Sequence, residues 1–205
     1  MVVTDKSECD MSLKYSYTTA DYLAWNEMTG LIRRLYADGN YTISLLLACG
    51  SFWGLRISDL RNLTWKEILD KDTLIIVEKK TGKRRVITVN KPLQKHIRAC
   101  YSALGRPSPT QYCFISRMGT VYSVQRLNGI LKELKIKYQL SIEHFSTHSM
   151  RKSFGRQIVD KAGTNAEMAL IKLSEIFGHS SPAITRRYLG LRQQEIQETY
   201  NSLTF

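Results

Sequence analysis

The sequence lacks the features that would mark a membrane-spanning, secreted or zinc-binding protein. Its most apolar stretch, residues 43–55, is interrupted by Ser44, Gly50, Ser51 and Gly54, and is shorter than the roughly 18 apolar residues that a spanning helix needs. The first residues contain no apolar run behind a basic start, so we expect no secretory signal. The four cysteines are far apart and no two have zinc-ligand spacing, which favours reduced thiols and a cytoplasmic protein.

Acidic residues are also scarce. The chain of 205 residues has 18 Asp and Glu against 30 Lys and Arg, which leaves a formal net charge of +12. This excess favours a polyanionic partner, with nucleic acid the first candidate and an anionic membrane surface the second. Because 43% of the residues are hydrophobic, the chain can bury one sizeable core. We therefore expect one domain over residues 18–205, preceded by a flexible tail or linker remnant at residues 1–17.

Apolar residues recur mostly at helical spacing, which predicts a mainly α protein with a small antiparallel β-sheet, an α+β fold. Helices are expected over residues 20–36, 41–52 and 55–63, and again after Pro92. Segments 73–78 and 85–89 are rich in β-branched residues and flank a basic turn, which predicts a hairpin. The predicted helix N-caps are Ser123, Ser146 or Thr147, Thr164 in a capping box with Glu167, and Ser181. A tail helix is expected from about residue 190.

Arg56 is a charged residue in an apolar setting. It follows the apolar run and precedes Ile57 and Leu60, so its guanidinium is expected to be partly buried and to need an anion. Asp59, three residues on, can meet it on the same helical face. A purely structural Arg56–Asp59 ion pair is the alternative to a functional arginine.

His148 and Arg151 lie three residues apart at the start of a predicted helix. They should project on the same side, near the end where the helix dipole favours an anion, so the pair suits a phosphate. His144 and His148 also have metal-compatible spacing, but no acidic or cysteine partner accompanies them, so we expect no metal site.

Tyr188 follows His179 by nine residues, in a short predicted helix. Its phenol has an ordinary pKa near 10, so as a nucleophile it would need cations and an imidazole close by. An ordinary core or surface aromatic is the alternative. Lys80, in the hairpin turn, is a plausible proton donor to a leaving hydroxyl. An exposed lysine that only contacts phosphate is the alternative there.

These fragments occur in a characteristic order. The segments 54–60 (GLRISDL), 80–83 (KTGK) and 148–151 (HSMR), followed by Gly178-His179 and Tyr188, closely resemble the catalytic domain of the tyrosine recombinase (phage integrase) family. The resemblance spans about residues 18–190. It implies a site-specific DNA recombinase that needs neither a cofactor nor a metal.

The resemblance also implies a role for each site residue. Arg56 and Arg151 would bind the scissile phosphate, and Lys80 would act as general acid. His148 would be an acid/base partner, and His179 a hydrogen-bond donor to the phosphate. Tyr188 would form a 3′-phosphotyrosyl bond and free a 5′ hydroxyl. The helical spacing, and not the resemblance, suggests that Asp59 would orient Arg56.

The expected partner is double-stranded DNA, bound by a homo-oligomer that is a tetramer on DNA and a monomer when free. The side chains expected to contact DNA are Lys79, Lys83, Arg84, Lys152, Arg186 and Arg187. The alternatives are relaxation of supercoils in the manner of a type IB topoisomerase, and a non-cleaving DNA-binding protein on the same fold. Many relatives carry an N-terminal core-binding domain, so the chain is either a compact recombinase or a fragment. In relatives the tail after Tyr188 packs on a neighbouring protomer; packing on its own core is the alternative.

Overall fold

A computed structural model describes residues 20–203, apart from the side chains of residues 193 and 194. The predicted tail at residues 1–17 lies outside this part. The elements in chain order are α1 (Trp25–Ala37), α2 (Tyr41–Trp53), α3 (Ile57–Leu60), α4 (Trp65–Ile68), β1 (Thr73–Val77), β2 (Arg84–Thr88), α5 (Lys91–Ala103), α6 (Val124–Lys137), α7 (Thr147–Ala162), α8 (Ala166–Phe177), α9 (Pro182–Tyr188) and α10 (Leu191–Asn201). The mainly helical fold with one small antiparallel sheet is confirmed. None of the described helices is both long and apolar enough to cross a bilayer.

Helix α2 is the centre of the fold, and α1, α5 and α7 pack around it. Most of its side chains are buried, because the segment is apolar on nearly every face. Its two buried serines are hydrogen-bonded to backbone carbonyls. The hydroxyl of Ser44 donates to the carbonyl of Ile32, at 2.7 Å, and that of Ser51 to the carbonyl of Leu47, at 2.6 Å. The carboxyl end of α2 therefore lies in the core, and the residues that follow it begin there.

The hairpin forms as predicted, with Thr73 opposite Thr88 and Val77 opposite Arg84. Leu74 and Ile76 face the core on alternate positions, as the period of a strand requires. The turn is closed by Glu78, whose N–H donates to the carbonyl of Lys83 at 3.0 Å and whose carbonyl accepts from the N–H of Gly82 at 2.8 Å. The basic turn thus projects from a short, well-paired ribbon.

Three predicted helix N-caps are confirmed. Three other predicted helix boundaries are wrong: the start of the first helix near residue 20, the helix over residues 55–63, and the capping box at residues 164–167. Ser123, Ser146 and Ser181 each accept a backbone N–H through their side chains. The capping box at residues 164–167 does not form, because a 3-10 turn over Gly163–Asn165 moves the start of α8 to residue 166. The helix predicted over residues 55–63 is reduced to α3, because the chain is still extended at Arg56.

Helix α1 begins at Trp25, whereas the apolar pattern predicts a start near residue 20. The segment before it is held in an extended form by α7. The hydroxyl of Ser153 accepts from the N–H of Leu23 at 3.0 Å and donates to the Leu23 carbonyl at 2.7 Å. Tertiary hydrogen bonds therefore replace the first turn of the predicted helix.

Two apolar clusters make up the core, and α7 joins them. Met150, in its first half, belongs to the larger cluster, while Val159, in its second half, packs with Phe177 of α8 and Leu189. The predicted tail helix is present as α10 and packs against α9. Its apolar residues Ile196 and Tyr200 are exposed, so they are not part of the chain's own core.

Candidate active site

Arg151 is held between the carboxyl ends of two helices. The residue is 4% exposed, and its guanidinium donates to the carbonyl of Gly54 at 2.5 Å and to that of Phe177 at 2.8 Å. Gly54 caps α2 and Phe177 ends α8, so both carbonyls belong to groups that a helix leaves without a partner. The negative ends of the two helix dipoles also favour a cation there. Two helix ends therefore fix the position of Arg151.

Both helix ends depend on glycine. Gly54 and Gly178 adopt left-handed conformations, with φ of 57° and 61°. A Cβ atom on Gly54 would also lie 2.5 Å from the ring of Phe154. These glycines let each helix stop abruptly, so that its last carbonyl faces the arginine.

Arg56 donates a hydrogen bond to the same carbonyl as Arg151. Its guanidinium donates to the Phe177 carbonyl at 2.7 Å and to Glu78 Oε2 at 2.7 Å. The predicted Arg56–Asp59 ion pair is therefore wrong. Arg56 precedes α3 in an extended conformation, so the helical spacing that would bring it to Asp59 does not apply.

Asp59 instead supports the hairpin. Its Oδ1 atom accepts the backbone N–H of Lys79 at 3.0 Å, and its buried Oδ2 atom has no hydrogen-bond partner among the described residues. Asp59 therefore supports the segment that leads to Lys80, and the anion that pairs with Arg56 is another residue.

That anion, Glu78, is a site residue that sequence reasoning missed. It is 3% exposed and accepts hydrogen bonds from Arg56, Thr81 and Arg85. Burial opposes ionisation, but the three donors together hold the pKa of Glu78 below its ordinary value. An acidic residue between an apolar strand and a basic turn was the available signal. Arg85, which lies in the predicted second strand, also joins the site through its hydrogen bond to Glu78.

The cations are crowded enough to affect one another. Burial, together with the charges of Arg56 and Arg85, lowers the pKa of Arg151 to about 10, although a charge on Tyr188 would raise it. The guanidinium is still protonated at neutral pH. Three guanidiniums around one carboxylate leave an excess of positive charge, which suits an anionic phosphate.

His179 follows directly from the end of α8 and lies beside the arginines. Its ring packs at 5.5 Å from that of Phe177, and its Nδ1 atom is 2.9 Å from the hydroxyl of Thr185. Burial and the charges of Arg151, Arg56 and Lys80 lower its pKa, so the imidazole is neutral at neutral pH. Lys80, in the hairpin turn, is thus one of the charges that act on this ring.

Tyr188 ends α9 and packs against the same residues. Its ring centroid is 5.7 Å from that of Phe177 and 5.4 Å from that of His179, and the ammonium of Lys152 lies 5.3 Å from the ring centre. Burial raises the pKa of Tyr188 to about 12, although Arg151 and Arg56 act to lower it. The hydroxyl is buried and makes no hydrogen bond to any described residue. It is thus a protonated phenol close to a cluster of fixed cations.

His148 lies at the N-terminal end of α7 and is exposed. Partial loss of contact with water, then the charges of Arg151 and Lys152, lower its pKa. Its ring is therefore a neutral base near Arg151 and Lys152. No group of three or more His, Cys, Asp or Glu suited to a metal ion occurs within residues 20–203.

The residues expected to contact DNA fall into two groups. Lys79, Lys83, Arg84 and Arg187 are exposed. By contrast, Lys152 is 7% exposed and lies over Tyr188, and Arg186 forms ion pairs with Glu167 and Glu195. The hairpin and α9 thus offer free surface cations, whereas Lys152 belongs to the interior of the site.

Comparison with known proteins identifies the family of the chain. The sequence model of the phage integrase family matches residues 31–195. The chain is 32% identical over 148 residues to the probable integrase/recombinase YoeC of Bacillus subtilis (strain 168), which covers 71% of this chain and 76% of YoeC. It is 31% identical over 150 residues to the tyrosine recombinase XerC of Xanthomonas campestris pv. campestris (strain B100), covering 73% of this chain and 44% of XerC. The chain therefore belongs to the phage integrase family, which comprises tyrosine recombinases.

Solved structures support the fold. The XerH site-specific recombinase bound to a palindromic difH substrate, in a post-cleavage complex, matches with a TM-score of 0.64 and 20% identity over 91% of this chain and 54% of that one. A lambda integrase dimer bound to a COC′ core site matches with a TM-score of 0.61 and 18% identity over 85% of this chain and 49% of that one. The described chain spans about half the length of these two proteins.

Proposed function

We propose that this chain cuts and rejoins DNA at specific sites, with Tyr188 as the nucleophile. One observation carries the proposal. Arg56 and Arg151 meet at the carbonyl of Phe177, and the Phe177 ring packs against Tyr188 at 5.7 Å between centroids. A phosphate that binds the two guanidiniums would therefore lie within reach of the phenol.

The arginines retain the capacity to bind that phosphate. A guanidinium has five N–H donors, and each arginine uses two of them for hydrogen bonds to acceptors within residues 20–203, which leaves about three donors apiece. Because these donors are already oriented by helix ends and by Glu78, they need little rearrangement as negative charge develops on the phosphate oxygens. In this role Arg56 and Arg151 stabilise the transition state.

The proposed reaction is a transesterification. The Tyr188 oxygen bonds to phosphorus and its proton passes to the neutral imidazole of His148. The bond from phosphorus to the 5′ oxygen breaks, and that oxygen takes a proton from Lys80. Neutral His179 donates its remaining N–H to a phosphate oxygen. Rejoining is the reverse, in which a 5′ hydroxyl attacks the phosphotyrosyl bond and releases Tyr188.

DNA is the proposed partner because the chain carries a net charge of +12 and the hairpin turn presents Lys79, Lys83 and Arg84 to solvent. We further propose that residues 18–205 act as the catalytic domain, that four copies assemble on DNA, and that the reaction takes place in the cytoplasm. Chemical cross-linking with and without duplex DNA would test the tetramer.

Covalent trapping tests the proposed chemistry. The substrate is a library of duplexes with random sequence, each with a nick close to the expected cleavage point. Cleavage would release the short strand that carries the 5′ hydroxyl, so rejoining could not occur and the protein would stay bound covalently to DNA. Wild-type protein should form a denaturant-resistant adduct that protease reduces to a peptide on the 3′ end. Tyr188→Phe should bind the same DNA and form no adduct. Adduct formation by the Phe variant would mean that another residue is the nucleophile.

A further inference from the structure

Glu78 makes contacts to two separate parts of the catalytic machinery. Its Oε2 atom accepts hydrogen bonds from Arg56 at 2.7 Å and from the Thr81 hydroxyl at 2.8 Å. Its Oε1 atom accepts from Arg85 at 3.0 Å. One carboxylate therefore contacts a phosphate-binding arginine, the hairpin turn and the second strand.

The turn that Glu78 contacts is the one that carries Lys80. The backbone carbonyl and N–H of Glu78 close this turn, through the N–H of Gly82 and the carbonyl of Lys83. The bond from Thr81 adds a side-chain link one residue beyond Lys80. Lys80 itself is exposed, and no hydrogen bond of its side chain occurs among the described residues. What restrains the lysine is therefore its backbone, and Glu78 holds that backbone.

We propose that Glu78 is a positioning residue that couples Lys80 to Arg56, so that the proton donor and the phosphate-binding guanidinium adopt their places together. The proposal rests on the proposed function and assigns to it a residue outside the six expected catalytic ones. In this role the carboxylate does not contact the reacting atoms. It acts on Lys80 through Thr81 and the turn, and on the phosphate through Arg56.

The geometry favours this role over that of an ordinary ion pair. A pair that only stabilised the hairpin would need Arg85 alone, since Arg85 is on the opposite strand. Glu78 also binds Arg56, 22 residues away in sequence, and a hydroxyl in the turn. The same oxygen atom accepts both of these bonds, so a displacement of one donor moves the acceptor of the other.

A substrate with sulfur in place of the bridging 5′ oxygen separates the two actions of Glu78. When the bond from phosphorus to oxygen breaks, the electron pair goes to an oxygen that must be protonated, which requires the general acid. A thiolate leaves without a proton. Loss of Lys80 positioning should therefore be rescued by sulfur, whereas loss of Arg56 positioning should not.

The experiment compares Glu78→Gln, Thr81→Val and Lys80→Met with wild type on nicked duplexes of both kinds, in single-turnover cleavage. Thr81→Val should slow cleavage of the oxygen substrate by roughly 10-fold and leave the sulfur substrate within about 2-fold of wild type. Glu78→Gln should slow the oxygen substrate by roughly 100-fold, and sulfur should restore only part of this loss. DNA affinity should not fall in either variant, because neither loses a positive charge.

Thermal unfolding and a Tyr188→Phe control make the outcomes distinguishable. If Glu78→Gln is unfolded, Thr81→Val, which changes an exposed residue, still decides the link to Lys80. Equal slowing of both substrates by Thr81→Val, or wild-type rates in both variants, would overturn the proposal. An adduct that persists in Tyr188→Phe would overturn the proposed function instead. If the sulfur substrate does not restore cleavage by Lys80→Met, then Lys80 is not the general acid and the proposed coupling is overturned.

Discussion

The Nδ1 atom of His179 lies 2.9 Å from the hydroxyl oxygen of Thr185, whose side chain is completely buried. This is the one hydrogen bond of that hydroxyl among the residues described. If Nδ1 carried the proton, the buried hydroxyl proton would have no acceptor, which is costly. The hydroxyl therefore donates to Nδ1, and a neutral His179 keeps its N–H on Nε2, free to reach a phosphate oxygen.

Thr185→Val should slow cleavage by roughly 10-fold, because it removes the donor that orients the His179 ring while preserving side-chain volume. Thr185→Ser retains the hydroxyl and should stay within about 2-fold of wild type. The ¹⁵N chemical shifts of His179 provide an independent measurement, since they report which ring nitrogen is protonated. Unchanged shifts and rates in the Val variant would show that Thr185 does not set the tautomer.

Arg151→Lys should reduce the rate of cleavage by at least about 100-fold while DNA affinity changes by less than about 10-fold. A lysine keeps the charge but cannot bind the carbonyls of Gly54 and Phe177 and a phosphate at the same time. Arg56→Lys is the matched variant and should show the same pattern. Both are measured by single-turnover cleavage and equilibrium binding. Equal losses of rate and affinity would indicate that the arginines act only in binding.

Lys152 combines burial with the absence, within residues 20–203, of a hydrogen bond or ion pair for its ammonium. Its contact with the Tyr188 ring, of the order of 1 kcal/mol, should help to hold the nucleophile. Lys152→Met should therefore slow cleavage by roughly 5-fold, and Lys152→Arg should slow it less. A Met variant that cuts as fast as wild type would show that the contact is not used.

The same substitution should raise the free energy of unfolding at neutral pH. Burial lowers the pKa of Lys152, although Asp21 opposes this, so the folded state disfavours the charged form. The charged Lys152 therefore destabilises the wild-type protein at any pH below the lowered pKa. This destabilisation disappears as the pH rises toward the pKa of about 10.4 that the lysine has in the unfolded chain. The stability advantage of Lys152→Met should therefore shrink between pH 7 and pH 10 in urea unfolding. An advantage that is constant with pH would indicate a packing effect.

Binding to duplex DNA should weaken steeply with salt. About six phosphate contacts would give a log–log slope of about −5. Replacing both Lys79 and Lys83 with alanine should make the slope about 2 units shallower, because these exposed cations in the turn are proposed phosphate contacts. Lys137→Ala is the control, since its ammonium already pairs with Asp38 at 2.7 Å. A slope near zero in wild type would remove DNA as the partner.

Sequence and structure agree best where the information is local. The hairpin around Lys80, the cap at Ser181 and the stop at Gly178 depend on residues a few positions apart, and all three form as predicted. They disagree where a tertiary contact competes with a local preference. The segment before Trp25 is tied to Ser153, 130 residues away from Leu23, and so does not join α1.

The sequence by itself determined the helical class, the basic character and the identity of the residue types in the site, because side-chain chemistry and short-range periodicity are properties of the chain. The tertiary structure alone decided that Arg56 binds Glu78 and that it shares the Phe177 carbonyl with Arg151. That carbonyl lies 121 residues from Arg56, and a backbone oxygen has no residue type to reveal it. Its availability arises from where α8 ends and from how that helix packs against α7, which no local pattern specifies.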